Sequence, residues 1–348
     1  MGEKYCQAVV RELDAYASEN PGAPEVDSIY FGGGTPSLVP AQHVTTFLAA
    51  CRRHFRVVPE CEISLEANPE TLTDAKVEEY RRAGVNRISV GAQSFDDRAL
   101  QTIGRGHTSA QVEESVGLLR AHGIENINLD LMLGLPGQTE RTWKADLEWV
   151  FQLAPPHVSV YMLDLDEKTP LYHTLRKGQH LVPEDDLVSE WYLRALELFA
   201  ARGYAQYEIS NFSRQGRRSR HNLKYWLREP VLGFGVASHS YDGQMRYANW
   251  ANLNAYLESI ERGGSPIEWR QPLQRTHALA ETLFLGLRLN QGVDWNRMNR
   301  EYDADELAAH EVSLREMSQQ GLVEWNDSAV RLTPRGMLLS NEVFQAFV

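Results

Sequence analysis

Ser28-Ile29-Tyr30-Phe31-Gly32-Gly33-Gly34-Thr35-Pro36 decides the fold: an apolar run of strand length stops at three glycines and a polar turn. Three further stretches repeat the arrangement. They are Ser64-Leu65-Glu66-Ala67-Asn68-Pro69, Arg87-Ile88-Ser89-Val90-Gly91-Ala92-Gln93-Ser94-Phe95, and Asn128-Leu129-Asp130-Leu131-Met132-Leu133-Gly134-Leu135-Pro136-Gly137. Strands covered on both faces read as near-continuous apolar runs, and parallel barrels carry their ligand groups on the rim where the strands end. Helical patterns separate them at 41–55, 73–83 (opened by a Thr73 cap), 96–103 and 109–122, with others at 4–18 and 139–153 and a further strand at 157–163. This alternation predicts an α/β fold with a parallel sheet and helices outside. A βα barrel opens on a strand, whereas this chain opens on a helix. The expectation is a barrel short of its first strand and loop; an open sheet needing no such strand is the alternative.

The 348 residues suffice for roughly two domains. Thirty-five basic against 47 acidic residues give a formal charge of -12, which disfavours the phosphate neutralisation that nucleic-acid binding requires. Cys6, Cys51 and Cys61 form an odd, low count without a secretory signal. They read as packing thiols in a reducing compartment, so the expected location is cytoplasmic. No apolar run approaches a membrane span, and Cys6 stands where a myristoylation signal needs Ser or Thr.

Beyond about residue 165 the pattern changes. A long helix at 183–202 precedes a short strand near Tyr207–Ile209 and a basic loop with Arg214, Arg217, Arg218 and Arg220. His221-Asn222-Leu223-Lys224-Tyr225-Trp226 follows, then Gly233-Phe234-Gly235-Val236-Ala237-Ser238-His239-Ser240-Tyr241 as a turn and strand. From Leu273 three helices precede a hairpin, 322–325 with 329–332 around Asn326-Asp327, and a last helix at 334–347. Three helices and a hairpin resemble a winged-helix module. Its wing residues Glu324 and Asp327 are not basic, a further point against nucleic acid. The expected domains are 1–165, 166–270 and 271–348.

On the rim, three successive glycines let a ligand approach the backbone closely. A tight turn is the plain alternative, and neither the P-loop nor the dinucleotide spacing is present. Glu66, Gln93, Arg105 and Asp130 converge if their strands are neighbours. A carboxylate and an amide suit a ribose diol, an arginine suits a carboxylate, and a carboxylate with glycine carbonyls suits an ammonium. Together they describe an amino-acid nucleoside such as S-adenosylmethionine; singly, each reads as a rim salt bridge or cap.

The stretch from Phe31 to Leu163 resembles the radical S-adenosylmethionine superfamily, in the branch of oxygen-independent coproporphyrinogen III oxidase and the HemW-type haem chaperones. The resemblance rests on Gly32-Gly33-Gly34-Thr35-Pro36-Ser37, Glu66-Ala67-Asn68-Pro69-Glu70, Arg87-Ile88-Ser89 with Gly91 and Gln93-Ser94-Phe95, Gly106-His107, and Asn128-Leu129-Asp130 through Gly134-Leu135-Pro136-Gly137-Gln138-Thr139. It implies a partial (β/α)6 TIM-like barrel, here without its first strand, and a C-terminal α+β region with the winged-helix-like module. It also implies that Gly33, Gly34, Thr35, Glu66, Gln93, Arg105 and Asp130 contact S-adenosylmethionine. By analogy Arg105 meets the methionyl carboxylate, Gln93 and Asp130 the ribose, and Glu66 the amino group or sulfonium.

His221 to Trp226 is similar to the HNxxYW run that marks the haem-chaperone group. An imidazole is a good axial ligand for haem iron, Tyr225 and Trp226 offer flat apolar area, and Arg217, Arg218 and Arg220 could pair with propionates. A capped loop with both aromatics in the core is the alternative. The resemblance implies binding of haem and delivery to acceptor haemoproteins, with room for peripheral contact with membrane haemoproteins. The other activity of the branch, oxidative decarboxylation of coproporphyrinogen III, is the alternative. In one respect the chain departs from the family. The family's CxxxCxxC, three thiolates on a [4Fe–4S] cluster, is absent, and Cys6, Cys51 and Cys61 lie too far apart to replace it. A misassigned start is the favoured expectation; a truncated gene and a cluster-free haem carrier are the alternatives.

Overall fold

A computed structural model describes residues 2–22, 24–176, 181–326 and 328–347. In chain order the elements are α1 (Gly2–Glu19), β1 (Glu25–Phe31), α2 (Ala41–His54), β2 (Arg56–Ala67), α3 (Asp74–Ala83), β3 (Arg87–Gln93), α4 (Asp97–Thr102), α5 (Ser109–Ala121), β4 (Asn126–Leu133), α6 (Glu140–Leu153) and β5 (His157–Met162). There follow α7 (Pro170–Arg176), α8 (Asp185–Ala201), β6 (Ala205–Glu208), β7 (Asn211–Ser213) and α9 (Arg220–Trp226). The remainder is β8 (His239–Tyr241), β9 (Met245–Asn249), α10 (Leu253–Glu261), β10 (Ile267–Pro272), α11 (Arg275–Leu287), β11 (Val293–Asp294), α12 (Trp295–Glu301), α13 (Ala304–Gln319), β12 (Val323–Trp325), β13 (Ala329–Leu332), α14 (Pro334–Leu338) and α15 (Ser340–Gln345). The chain divides into two units, Ser28–Ala41 with Glu62–Arg218, and Met1–Asp27 with Gln42–Cys61 and Ser219–Val348.

The first unit is built on a curled sheet of order β1-β2-β3-β4-β5-β7-β6. β2, β3, β4 and β5 pair in parallel, and β7 and β6 close the far edge antiparallel. β3 is buried at every residue, as expected of an interior strand under helices. Burying Ile88 or Val90 there contributes about 2 kcal/mol each. Local chemistry sets the helix ends: the Thr73 hydroxyl accepts from Lys76 N–H, Thr108 and Thr139 each form a capping box, and Gly84 at φ 100° closes α3.

Register sets the interior. Glu66 pairs with Ser89 and Ser89 with Asn128, which pairs with His157; one layer on, Asp130 pairs with Ser159 and Ser159 with Asn211. Polar residues therefore form rows across adjacent strands. The strand expected near 207–209 is instead the pair β6 and β7. Glu208 accepts from the backbone N–H of Ser210 and the Asn211 amide, which folds the chain back.

In the second unit the run 221–226 is a helix, not a loop: Ser219 caps it by accepting from Asn222 N–H at 3.3 Å. α11, α12 and α13 precede a sheet of order β11-β13-β12, so the helix-and-hairpin module gains a short third strand. Asn326 Oδ1 accepts from the N–H groups of Ser328 and Ala329 and turns the hairpin; Asp327 lies outside the described residues. The final helix breaks at Leu339 into α14 and α15. No helix among the described residues is long and apolar enough to cross a membrane.

Candidate functional site

The glycine turn follows β1, with Gly33 at φ 82° and Gly34 at φ 66°. A side chain would be strained at either position. A Cβ built on either meets nothing within 4 Å, so the turn is open to a ligand. Gly32 is different: a Cβ there would lie 2.6 Å from the Tyr30 ring and 3.1 Å from Glu66 Oε1. Glu66, at the end of β2, accepts from the Tyr30 hydroxyl at 2.6 Å and Gly33 N–H at 3.2 Å. The carboxylate and the turn are thus built as one piece. Thr35 leads into the short 3-10 turn Pro36–Leu38, and its side chain makes no capping bond there.

Asp130 sits within β4 and accepts from Ser89 Oγ at 2.9 Å and Asn128 Nδ2 at 2.8 Å. Burial raises the Asp130 carboxyl above the usual carboxylate range against these hydrogen bonds and the Arg87 charge. Burial likewise raises Glu66, with the Asp130 charge adding to it. Burial and the neighbouring carboxylates also raise the Tyr30 and Tyr161 hydroxyls. Two carboxylates held at a cost in negative charge form a place that welcomes a cation. Behind them His157 bonds Asn128 Oδ1 at 2.6 Å and Tyr207 Oη at 2.8 Å, and burial holds its imidazole well below its usual range.

Arg105 is held at Asn68, two residues beyond Glu66, and the Gln93 amide lies nearby. Arg105 Nη1 donates to Asn68 Oδ1 at 3.1 Å. A Cβ on Gly91 would lie 3.0 Å from Gln93 Nε2 and 3.5 Å from Asn68 Oδ1, so both side chains share that space. The first unit therefore carries all seven expected rim residues as two adjoining groups joined by the end of β2. Tyr30, Asn68, Ser89, Asn128 and Tyr161 belong with them and escaped the sequence reading. Their one visible signal was position, on or beside strands whose neighbours carried the other groups.

In the second unit His221 and Tyr225 lie four residues apart on α9, one above the other. Their rings meet edge to face at 5.2 Å and the His221 Nε2 to Tyr225 Oη distance is 3.1 Å. His221 is buried, while Tyr225 is 45% exposed. Burial and then the Lys224 charge lower the imidazole to about 4, with Asp27 opposing. The ring is neutral at pH 7, the form that ligates metal. Trp226 turns elsewhere. It lines a cleft of about 460 Å³ with Arg228, Asp294, Asn296 and Arg297, under the Arg288 guanidinium at 4.3 Å. Arg218 lies over Tyr207 in the first unit, Arg220 donates to the Glu60 carbonyl, and Arg217 is exposed.

A curled sheet with a parallel core, a glycine turn, carboxylates and an amide on its strands, and an arginine from the loop after α4, is the arrangement of a radical S-adenosylmethionine barrel. The Radical SAM superfamily matches residues 4–150, and the HemN C-terminal domain matches residues 273–339. A Bacillus subtilis protein named heme chaperone HemW is 35% identical over 347 residues, which cover 99% of this chain and 91% of that protein. The protein of that name from Mycobacterium tuberculosis H37Rv is 32% identical, covering 99% and 86%. The bovine mitochondrial radical S-adenosyl methionine domain-containing protein 1 is 31% identical, covering 91% and 74%. The solved structure of Escherichia coli coproporphyrinogen III oxidase, HemN, superposes with a TM-score of 0.86 at 21% identity, over 99% of this chain and 82% of that one, a likeness of fold. The chain belongs to the HemW family.

Radical SAM proteins use S-adenosylmethionine and a [4Fe–4S] cluster, which supplies the electron that cleaves the sulfonium. The open glycine turn and the two under-compensated carboxylates fit the first. The thiols do not fit the second. Cys6 lies on α1, and Cys51 and Cys61 are buried on α2 and β2. Burial raises the Cys6 thiol and pushes Cys51 up to about 12, far from the thiolate that iron needs. Among the described residues no three His, Cys, Asp or Glu side chains come together as a metal site. Anaerobic reconstitution of this chain with iron and sulfide is expected to give no stoichiometric absorbance near 400 nm; a tight cluster would overturn this reading of the cysteines.

Proposed function

We propose that this protein is a haem chaperone, which binds haem and hands it to acceptor haemoproteins. The full-length likeness to the Bacillus subtilis HemW protein carries the reading. The rim residues Gly33, Gly34, Thr35, Glu66, Gln93, Arg105 and Asp130 bind S-adenosylmethionine, within a domain taken as 1–165. His221 ligates haem iron through Nε2 once Tyr225 releases it, and Tyr225 lies against the macrocycle, within 166–270. Trp226, on another side of the helix, supports α9 from the cleft it shares with the C-terminal module, 271–348. Work in the cytoplasm, with haemoproteins and not nucleic acids as partners, follows from this reading.

Titration of haem into the full chain tests the ligand. A saturable shift of the Soret band is expected, and loss or displacement of that band in His221→Ala. The pH profile adds a second check. A neutral imidazole down to about pH 4 competes poorly for protons, so the ligated spectrum should persist at pH 5, where an ordinary histidine is mostly protonated. An unchanged spectrum in His221→Ala would remove that residue from the role.

A further inference from the structure

Gln93 is a rim residue with its backbone in the left-handed region, at φ 65°, where a side chain is disfavoured. Such a conformation persists only when its surroundings hold it. Ser94 N–H at 2.8 Å and His107 Nε2 at 3.1 Å hold the Ala92 carbonyl before it, and one buried carboxylate holds the turn after it. Asp146, on α6 and 1% exposed, accepts from two donors of the following turn: Ser94 Oγ lies 3.0 Å from each carboxylate oxygen and Phe95 N–H donates at 2.6 Å. One turn along α6, Trp149 stacks on the Phe95 ring, with centroids 5.7 Å apart and planes 9° from parallel. The same carboxylate reaches the loop after β4. Gln138 Nε2 donates to it at 3.3 Å, and Gln138 Oε1 accepts from Gly134 N–H at 2.7 Å and Leu135 N–H at 3.2 Å.

We infer that Asp146 is a positioning residue: it clamps the turn after β3 to the loop after β4, holds Gln93 in its disfavoured conformation, and so sets the affinity of the rim for its adenosyl ligand. The inference rests on the reading that the rim binds S-adenosylmethionine. Asp146 touches no ligand group itself; it acts through Ser94, Phe95 and Gln138. The ionised carboxylate accepts from Ser94, Phe95 and Gln138 together; protonation turns one oxygen into a donor and removes acceptor capacity that these groups use. Burial pushes this carboxyl up to about 6 against its hydrogen bonds, and Asp96 is the charged group acting on it. The clamp is therefore complete at pH 7.5 and loosened at pH 5.5.

The test is calorimetric titration of the full chain with S-adenosylmethionine at pH 7.5 and 5.5, for wild type, Asp146→Asn and Ser94→Ala. Alongside it, hydrogen exchange is followed over segments 87–100, 130–140 and 140–153. Asp146→Asn keeps the shape and mimics the protonated acid. It should bind about tenfold more weakly at pH 7.5, a typical coupling between linked sites. The ratio of wild-type to variant affinity should shrink towards one at pH 5.5; titration of Glu66 and Asp130 cancels in that ratio. Ser94→Ala should move in the same direction by less. Segments 87–100 and 130–140 should lose protection together while α6 keeps its own. A ratio near one at both pH values, or protection lost from only one segment, overturns the clamp. Absence of binding by the wild type overturns the adenosyl reading beneath it, and the inference with it.

Discussion

Glu66→Leu is expected to weaken S-adenosylmethionine binding by about a hundredfold, in line with the cost of truncating one partner of a buried, hydrogen-bonded charge pair. The substitution removes three things at once. The ligand loses its anionic partner, Gly33 N–H loses the acceptor that fixes the glycine turn, and the Tyr30 hydroxyl is left facing an apolar side chain. Glu66→Gln should fall between, because it keeps an acceptor for one of those donors and loses the charge. The pH dependence has a definite sign. Burial and the Asp130 charge raise the Glu66 carboxyl, so part of the population is neutral at mildly acid pH. A cationic ligand binds the ionised form, so affinity should rise with pH through the raised range and then level off. Calorimetry across that range measures both effects. Affinity in Glu66→Leu within threefold of wild type would remove Glu66 from the site.

Glu12→Ala is expected to destabilise the second unit by about 3 kcal/mol, because it strands buried donors. Glu12, 6% exposed on α1, accepts from Tyr256 Oη at 2.6 Å, Asn249 Nδ2 at 2.6 Å and Gly235 N–H at 2.8 Å. It ties the first helix of the chain to the loop at 233–238, far away in sequence. Burial raises its carboxyl above the ordinary range despite those bonds. The folded state then holds the proton more tightly than the unfolded chain. Its contribution is complete below the ordinary carboxylate range and is lost as pH rises through the raised value. Glu12→Gln should remove that slope while retaining much of the stability near neutrality. Chemical denaturation of the three proteins at pH 5 and pH 7.5 reads both. An unfolding midpoint unchanged in Glu12→Ala would mean the buried donors find other partners.

The half-barrel was legible because its signals are local. Apolar runs ending in Gly32-Gly33-Gly34 or Gly91-Ala92-Gln93 mark strand ends, and caps such as Thr73 and Thr139 mark helix starts. The rim groups were legible as a set because parallel neighbours in register bring their ends together. What stayed hidden depends on distant partners. Nothing local to Asn68 says that Arg105 will bond it, and nothing local to Asp146 says that Ser94 and Gln138 will converge on it. The run from His221 to Trp226 carried no helix signal, because its seven-residue helix is too short for periodicity to register and is nucleated by one serine hydroxyl. Helical geometry then divides the motif, placing Tyr225 beside His221 and Trp226 on a different side. The return of the chain at Glu208 was invisible for the same reason, since one carboxylate makes the turn.

Haem transfer tests the central claim most directly. The full chain is loaded with one equivalent of haem, freed of excess, and mixed with an apo-haemoprotein acceptor while the acceptor's own Soret band is followed. The account predicts that haem leaves the loaded chain and reconstitutes the acceptor, that His221→Ala loads poorly and transfers little, and that coproporphyrinogen III is left unconverted. Haem that never binds, or that stays bound in the presence of acceptor, would contradict it.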